Sequence, residues 1–466
     1  MNPRDDHSRR AYDQRVTATV SPIDQLTFAP SAPGNIFVQS HRMRLRPLQT
    51  IDNAFAVHGQ PDAVRLHLGP YDATLVRHPD LVRRILVDNV ANYSKQTRGY
   101  LKAKIVLGEG LVTSEGELWT RQRRIAAPAF HRQRIAALAG TITAGARAYR
   151  PSEQTDVFAD MMRVTLSVAL STLFGSKSDD RPGEIEQVSR AVTVCLERTN
   201  DLITNLLAPP LWVPLPSYIR FKKALAILDG FCFRMVEQKR DRPGDDLLSM
   251  LLAARDEVTG EGMSDRQLRD EAVTILIAGH ETTACVLSWA MWLLAKHPHV
   301  QERMHQEISL LGDRELAFED TALLTYTRQV IDETMRLYPP AWMTGRYAVN
   351  DDVLGKYKIR KGSFALVSPY SSHRHPGIWD RPTEFDPDRF GPERASTIPK
   401  YAYIPFGAGP RFCIGANLAT MQSTLMLATI AMKYRFELIA GEPDPVPWAM
   451  ITLRPRTGIR LSLRSW

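Results

Sequence analysis

The stretch FGAGPRFCIG, residues 406–415, runs straight into ANLATMQSTLMLATIAM, residues 416–432, and this junction decides how the chain is read. Three glycines and a proline within ten residues force a tight loop, and the apolar run behind it has the length and periodicity of a buried helix. A loop that feeds a helix start presents unpaired backbone N–H groups and the positive end of the helix dipole. Cys413 stands at that point, where such donors lower a thiol pKa and favour the thiolate. One cysteine taken alone is most often an inert buried residue, so its surroundings in the chain carry the decision.

Those surroundings are globular. Of 466 residues, 44% are apolar and 24% charged, enough to bury a large core, which excludes a disordered or low-complexity chain. Thirty-one prolines and 27 glycines show no period, so no fibrous class fits. The net charge of +8 invites nucleic acid or another anionic partner. No block of five like charges occurs, however, and the arginines are spread through helix-periodic segments, so a solvated basic surface is expected and no nucleic-acid binding. A basic docking face for an acidic protein stays open. Cys195, Cys232, Cys285 and Cys413 are far apart without a CxxC pair, which fits a reducing compartment better than a disulfide or zinc scaffold. The start MNPRDDHSRR is too charged for a signal peptide and no run of about 18 apolar residues is found, so a cytoplasmic protein without a transmembrane segment is expected.

Residues 1–35 form a polar arm, with order expected from near Asn35, and residues 36–466 a single domain. VRLHLGPYDATLV, residues 64–76, alternates about Gly69-Pro70 and predicts a β-hairpin, after which Pro79 and Asp80 open a short helix ending near Asp88. Helical periodicity then dominates from Glu117 to about Arg255, broken by APPLWVPLPSY, residues 208–218, where four prolines forbid a continuous helix. That segment is either a mobile entrance to an apolar pocket or a packed connector. The longest pattern, from Ser264 to about Lys296, is apolar nearly all round and predicts a helix running through the core. Pro339-Pro340 ends the next helices. Arg346 to Val367 then alternates as strands with turns at Asp351-Asp352 and Lys361-Gly362, and ITLRPRTGIRLSL near the end is again strand-like. The fold class expected is mostly α with a small β portion.

Residues 406–415 resemble the haem-binding signature of the cytochromes P-450, Phe-x-x-Gly-x-Arg-x-Cys-x-Gly, with Phe406, Gly409, Arg411, Cys413 and Gly415 all in place. A thiolate held by backbone donors can ligate haem iron axially, and its electron donation favours O–O cleavage. Glu333 and Arg336 in ETMR are similar to the family's Glu-x-x-Arg pair, and Arg389 falls where a third partner belongs. At i, i+3 they share a helix face and can form a buried ion network under the haem loop. Glu237 and Arg240 show the same spacing and are expected to be only a surface pair.

Within the long helix, AGHETT, residues 278–283, resembles the family's oxygen-activating motif. Gly279 costs about 1 kcal/mol of helix propensity, and a buried Glu281 is costly without partners. Proton delivery to bound dioxygen gives a reason, with Thr282 bonding to the outer oxygen and Glu281 feeding a water chain; the structural alternative is a helix crossing relieved by Gly279. Trp119 and Arg123 resemble the family's Trp-x-x-x-Arg, and with Arg411 and Arg346 they are expected to meet the haem propionates. His280 is expected to pack or face the pore, and His373 and His375 to be structural or near the propionates.

The resemblance implies the triangular helical haem domain of that family, haem b (iron protoporphyrin IX) as cofactor, and insertion of one atom of dioxygen into an apolar small-molecule substrate. The 53 residues after Cys413 are too few for a fused reductase, so a ferredoxin- or flavodoxin-type partner and its reductase are expected, docking on Arg121, Arg124, Arg132 and Arg134. Pocket walls are expected from residues 93–112, 192–218, 273–283, 341–344 and 448–451, with Trp342, Met343, Trp448, Met450 and Leu211 making the cavity apolar. Two other functions compete. One is a peroxide-driven peroxygenase or isomerase of the same haem-thiolate type, which commonly lacks the acid–Thr pair; the other is a non-catalytic haem sensor or carrier, which needs no such pair.

Overall fold

The computed structural model describes residues 26–175 and 183–466. Nine helices frame the site. They are α1 (Ile36–Leu45), α2 (Arg98–Leu107), α3 (Gly116–Ala126), α4 (Val157–Phe174), α5 (Glu184–Thr204), α6 (Pro216–Asp241), α7 (Asp265–Lys296), α8 (Thr325–Leu337) and α9 (Ala416–Ala431). The longest, α7, starts at Ser264. The Ser264 side chain accepts from the Gln267 amide, and the Gln267 side chain accepts from the Ser264 amide, which satisfies two donors at the helix start. Packed against α4, α6, α8 and α9, α7 is buried on nearly every face, as its all-round apolar pattern requires. Both α4 and α7 are long and apolar enough to span a membrane by length and composition, yet 61% and 78% of those stretches lie inside the protein, so they serve as core helices.

The largest sheet of the β portion has five strands in the order β1-β2-β5-β4-β3: β1 (Ala63–Leu68), β2 (Tyr71–Val76), β3 (Tyr93–Ser94), β4 (Thr344–Ala348) and β5 (Phe364–Val367), and a three-stranded sheet joins Gln154–Asp156, Arg460–Ser465 and Tyr434–Leu438. The expected hairpin joins β1 to β2 with Leu68 opposite Tyr71, and Gly69 takes the left-handed conformation (φ +59°) that the turn demands. A separate short hairpin, β6 (Pro447–Ala449) with β7 (Leu453–Pro455), lies against α7. The turn expected at Asp351-Asp352 is displaced. Asp352 instead begins a strand, Asp352–Leu354, which pairs with Tyr357–Ile359 around Gly355. Its carboxylate is buried because Arg84 (2.6 Å) and the Tyr93 hydroxyl (2.7 Å) both reach it.

Pairing begins upstream of Asn35, since Thr27 bridges Tyr357 and Ser31 bridges Arg65; residues 1–25 of the expected arm lie outside the described residues. The proline-rich segment ends sooner than expected, with Pro216 at the first position of α6, where a missing N–H costs nothing. The Tyr218 hydroxyl donates to the Pro209 carbonyl (2.5 Å), and Leu211 packs into the helical core. Trp212 stays 78% exposed, so the segment is a connector on one side and open on the other.

Candidate active site

Cys413 lies between a short turn, Gly409–Arg411, and the start of α9, and its amide donates to the Phe406 carbonyl (3.0 Å), closing the loop. Gly409 is obligatory. Its φ is +69°, and a Cβ there would stand 1.9 Å from the Leu86 carbonyl oxygen. Two features lower the Cys413 thiol pKa, the Gly415 amide, a backbone donor of the kind the sequence predicts, and the nearby Arg123 guanidinium, which the sequence did not connect with it. Desolvation by the surrounding chain outweighs both in the protein alone and raises it, although Cys413 as a residue is exposed.

The Arg411 guanidinium stacks 3.8 Å above the Trp119 ring and donates to the Ser114 carbonyl (2.9 Å). Burial pushes Arg411 down to about 10, with Arg346 and Arg123 adding repulsion. Arg346, on β4, is buried and donates to the Thr344 hydroxyl (2.9 Å) and the Gly345 carbonyl (2.9 Å). Lys95 and Tyr100, which the sequence did not single out, belong to the same group. Burial pushes Lys95 down to about 8, with Arg346 and Arg411 adding to it. Burial alone would raise Tyr100, but Lys95 and Arg346 outweigh it and bring the phenol down to about 8. Glu115 is the carboxylate that offsets Lys95 and Arg411, and its distance to Arg411 is 3.9 Å. Four inward cations against one acid leave room for an anionic ligand group.

Across the core, α7 opens at one place. Ala278 is exposed and Gly279 and Thr282 are half-buried in a helix otherwise closed on this stretch, and a Cβ at Gly279 would meet nothing within 4 Å. The glycine therefore relieves no helix crossing; it borders open space. The Thr282 hydroxyl donates to the Ala278 carbonyl (2.5 Å), leaving its lone pairs toward the cavity. Glu281 is buried and accepts from the Thr452 hydroxyl (2.8 Å) on the β6–β7 hairpin, with Arg454 at 3.9 Å. Burial raises its pKa, and Thr452 and Arg454 oppose the rise. His280 is buried, has no hydrogen-bond partner among the described residues, is pushed down to about 4 by burial, and lies outside the cavity lining.

Glu333 and Arg336 are fully buried and paired through two bonds, at 2.7 and 2.8 Å, with Arg389 3.4 Å from Glu333. Arg336 also donates to the carbonyls of His373 (2.8 Å), Pro382 (2.7 Å) and Glu384 (2.9 Å). The His373 ring, pushed down to about 3 by burial, accepts from the Ile404 amide (2.9 Å). The network thus holds the chain two residues before Phe406, and His373 is its structural link. His375 contacts Asp62 (3.4 Å), away from the cation group. Arg240 reaches Asp265 on α7 instead of pairing with Glu237 on its own helix.

A cavity of about 1010 Å³ runs from Thr282 and Glu281 outward to Arg44, Leu45 and Leu206 at the surface. All five expected wall segments contribute to it, including Trp342, Met343, Trp448 and Met450. Leu211 does not. Residues of α1 and the sheet, Met43, Leu68, Tyr71 and Phe364, complete the walls; their spacing carried no signal because the cavity joins segments remote in the chain. Thr452 and Arg454, by contrast, alternate along a strand-like stretch and so share a face, a pattern legible in principle.

A cysteine loop whose approach is held by a buried Glu–Arg network, together with a core helix open at Gly279, is the arrangement of a haem-thiolate enzyme. The family profile described as Cytochrome P450 matches residues 33–461, and the chain belongs to that family. It is similar to cyclooctatin synthase of Streptomyces melanosporofaciens, 37% identical over 92% of this chain and 93% of that one. It also resembles pentalenene oxygenase of Streptomyces avermitilis, 32% identical over 95% and 99%. Among solved structures, the heme domain of cytochrome P450DA superposes with a TM-score of 0.84 at 26% identity, covering 95% of this chain and 98% of that one. The protein is accordingly an oxidoreductase, a P450 monooxygenase, and its cofactor is haem b.

Proposed function

We propose that this monooxygenase oxidises a bulky, largely apolar small molecule in the cytoplasm, in one domain spanning residues 36–466, with electrons from a separate ferredoxin- or flavodoxin-type protein and its reductase. The observation that carries this is the cavity, walled mainly by apolar side chains and ending on the Glu281–Thr282 pair. Bound haem would supply the chemistry that splits dioxygen, placing one atom on the substrate while two electrons and two protons carry the other to water. Cys413 would hold its iron. Arg123, Arg346, Arg411, Lys95 and Tyr100 would hold its carboxylates, with Trp119 backing Arg411, and Phe406, Gly409 and Gly415 shape the loop. Thr282 presents its hydroxyl at the inner end of the cavity, and Glu281 is the buried acid that resupplies protons there. Two relatives are named for pentalenene and cyclooctat-9-en-7-ol, an alkene and an alkenol, which fits a carbon skeleton of this kind.

For the electron donor, Arg132 and Arg134 are the relevant bases. Both are exposed, just beyond Phe130, whose ring lies 3.8 Å from the position a Gly415 Cβ would take. Arg121 and Arg124 are committed elsewhere, to Asp256 and the loop before α7, which corrects the four-arginine face expected from the sequence. The test is turnover with NADPH, a surrogate ferredoxin and its reductase, on compounds chosen by their shift of the Soret band. Product formed only with added peroxide would make the protein a peroxygenase; substrate shifts without any product would make it a carrier.

A further inference from the structure

One wall of the cavity carries a polar group that the protein itself leaves without a partner. On α5, Asn200, Ile203 and Thr204 line the cavity, and at i, i+3 and i+4 they form one stripe of the helix, while Leu202, on the opposite side, is buried. The Thr204 hydroxyl is taken by its own helix, donating to the Asn200 carbonyl (2.9 Å). Other polar side chains along the cavity are engaged too: Tyr100 with Thr344 (2.9 Å), Glu281 with Thr452 (2.8 Å) and Thr282 with the Ala278 carbonyl. Asn200 is half-buried, and among the described residues its side-chain amide has no hydrogen-bond partner. Its place is fixed from both sides. One turn earlier, Glu197 meets Arg454 (3.5 Å), which also stands 3.9 Å from Glu281. At the end of the helix, Arg98 of α2 donates to the carbonyls of Leu202 (2.8 Å), Ile203 (3.0 Å) and Asn205 (3.0 Å).

We propose that the Asn200 amide binds a neutral oxygen of the substrate, a hydroxyl or a carbonyl, so that the compound oxidised is an apolar skeleton already carrying one such group. Solvent satisfies an amide only while a cavity is wet. A pure hydrocarbon filling the space would strand the Asn200 amide without a bond, which weakens binding, whereas an oxygen on the substrate restores the bond. An amide has two donors and an acceptor, so it takes a proton-donating hydroxyl or donates to a carbonyl with no charge on either side. A carboxylate head fits worse. Arg98, the base on this wall, is spent on three carbonyls, and Arg454 is shared between two carboxylates, so neither is left to meet it. The proposal rests on the cavity being the site for an apolar substrate, and it names the one polar feature that such a substrate carries.

The experiment titrates the haem-loaded full chain with valencene, nootkatol and nootkatone, one skeleton as hydrocarbon, alcohol and ketone, and with farnesol against farnesoic acid, following the Soret band. The alcohol and the ketone are expected to bind about tenfold tighter than valencene, and farnesol tighter than farnesoic acid. Asn200→Leu is expected to abolish the difference by weakening only the oxygenated compounds, and Thr204→Val, on the same stripe, to leave it in place. Circular dichroism and the spectrum of the reduced protein with carbon monoxide report whether both variants keep their fold and haem. Equal binding of valencene and its oxygenated forms would overturn the proposal, as would a preference that folded Asn200→Leu retains or Thr204→Val removes; each leaves a monooxygenase of apolar compounds standing. Tighter binding of farnesoic acid would overturn it too, assigning recognition to Arg44 and Arg46 at the outer end of the cavity. No shift by any of the five compounds would overturn the reading of the cavity itself, and the proposal with it.

Discussion

The Thr452 hydroxyl donates to the Glu281 carboxylate at 2.8 Å, tying the β6–β7 hairpin to the middle of the core helix across 171 residues of sequence. Arg454, two residues further along the same hairpin, stands 3.9 Å from Glu281 and 3.5 Å from the half-exposed Glu197 on α5. Burial raises the pKa of Glu281, and these two neighbours restrain the rise by favouring its ionised form. Replacing Thr452 by Val removes one such donor, so the pKa climbs further. A hydrogen bond to a charged group favours its ionised form, so the pH limb of turnover governed by Glu281 is expected to move up. A limb that stays in place under Thr452→Val assigns it to another group.

Thr282→Ala tests the hydroxyl at the inner end of the cavity. Haem content and substrate-induced Soret shifts are expected to persist, since Thr282 bonds only its own helix carbonyl at Ala278. NADPH consumption continues while hydrogen peroxide rises at the expense of product. Full coupling in the variant would leave Thr282 a structural role alone.

Cys413→Ser replaces the thiol in a loop otherwise fixed by backbone bonds, including Cys413 N–H to the Phe406 carbonyl (3.0 Å). The reduced protein with carbon monoxide is expected to lose the strongly red-shifted Soret band of thiolate ligation. An intact band would assign the ligand elsewhere.

The Glu333–Arg336 pair has no access to solvent, and Arg336 makes three further bonds to carbonyls. Lys cannot reproduce that fork. Breaking a buried pair costs about 3–5 kcal/mol, so Arg336→Lys should lower the denaturation midpoint and the retained haem together. A midpoint within a degree of wild type would show the network to be dispensable.

Reversing charge at Arg132 and Arg134 should slow reduction by a ferredoxin-like protein severalfold, with a weaker salt dependence and unchanged substrate affinity. Arg124→Glu is expected to act differently. Arg124 forms two bonds of 2.9 Å to Asp256, so its loss should loosen the loop before α7 and lower stability. Slowed reduction from Arg124→Glu at unchanged stability would return that residue to the docking face.

Local chemistry was legible in the sequence wherever the physics is local. Ser264 and Gln267 start α7 because a capping box needs only residues three apart, and Gly69-Pro70 sets its hairpin because a turn is four residues long. Gly409 and Cys413 could be named because a tight loop before a helix constrains both positions. The Asp351-Asp352 turn was misplaced because a remote Arg84 and Tyr93 stabilise Asp352 in a strand, which no local propensity encodes.

The order and spacing of Trp119, Glu281, Thr282, Glu333, Arg336 and Cys413 were fixed by the sequence alone, because each belongs to a short motif whose geometry one helix or loop sets. Tertiary structure alone decided which charges meet. It placed Lys95 and Tyr100 beside Arg346 and Arg411, gave Glu281 its partners on the β6–β7 hairpin, and engaged Arg121 and Arg124 with Asp256. Charge interactions act through space rather than along the chain, so residues hundreds of positions apart set one another's pKa only once the fold has brought them within a few ångströms.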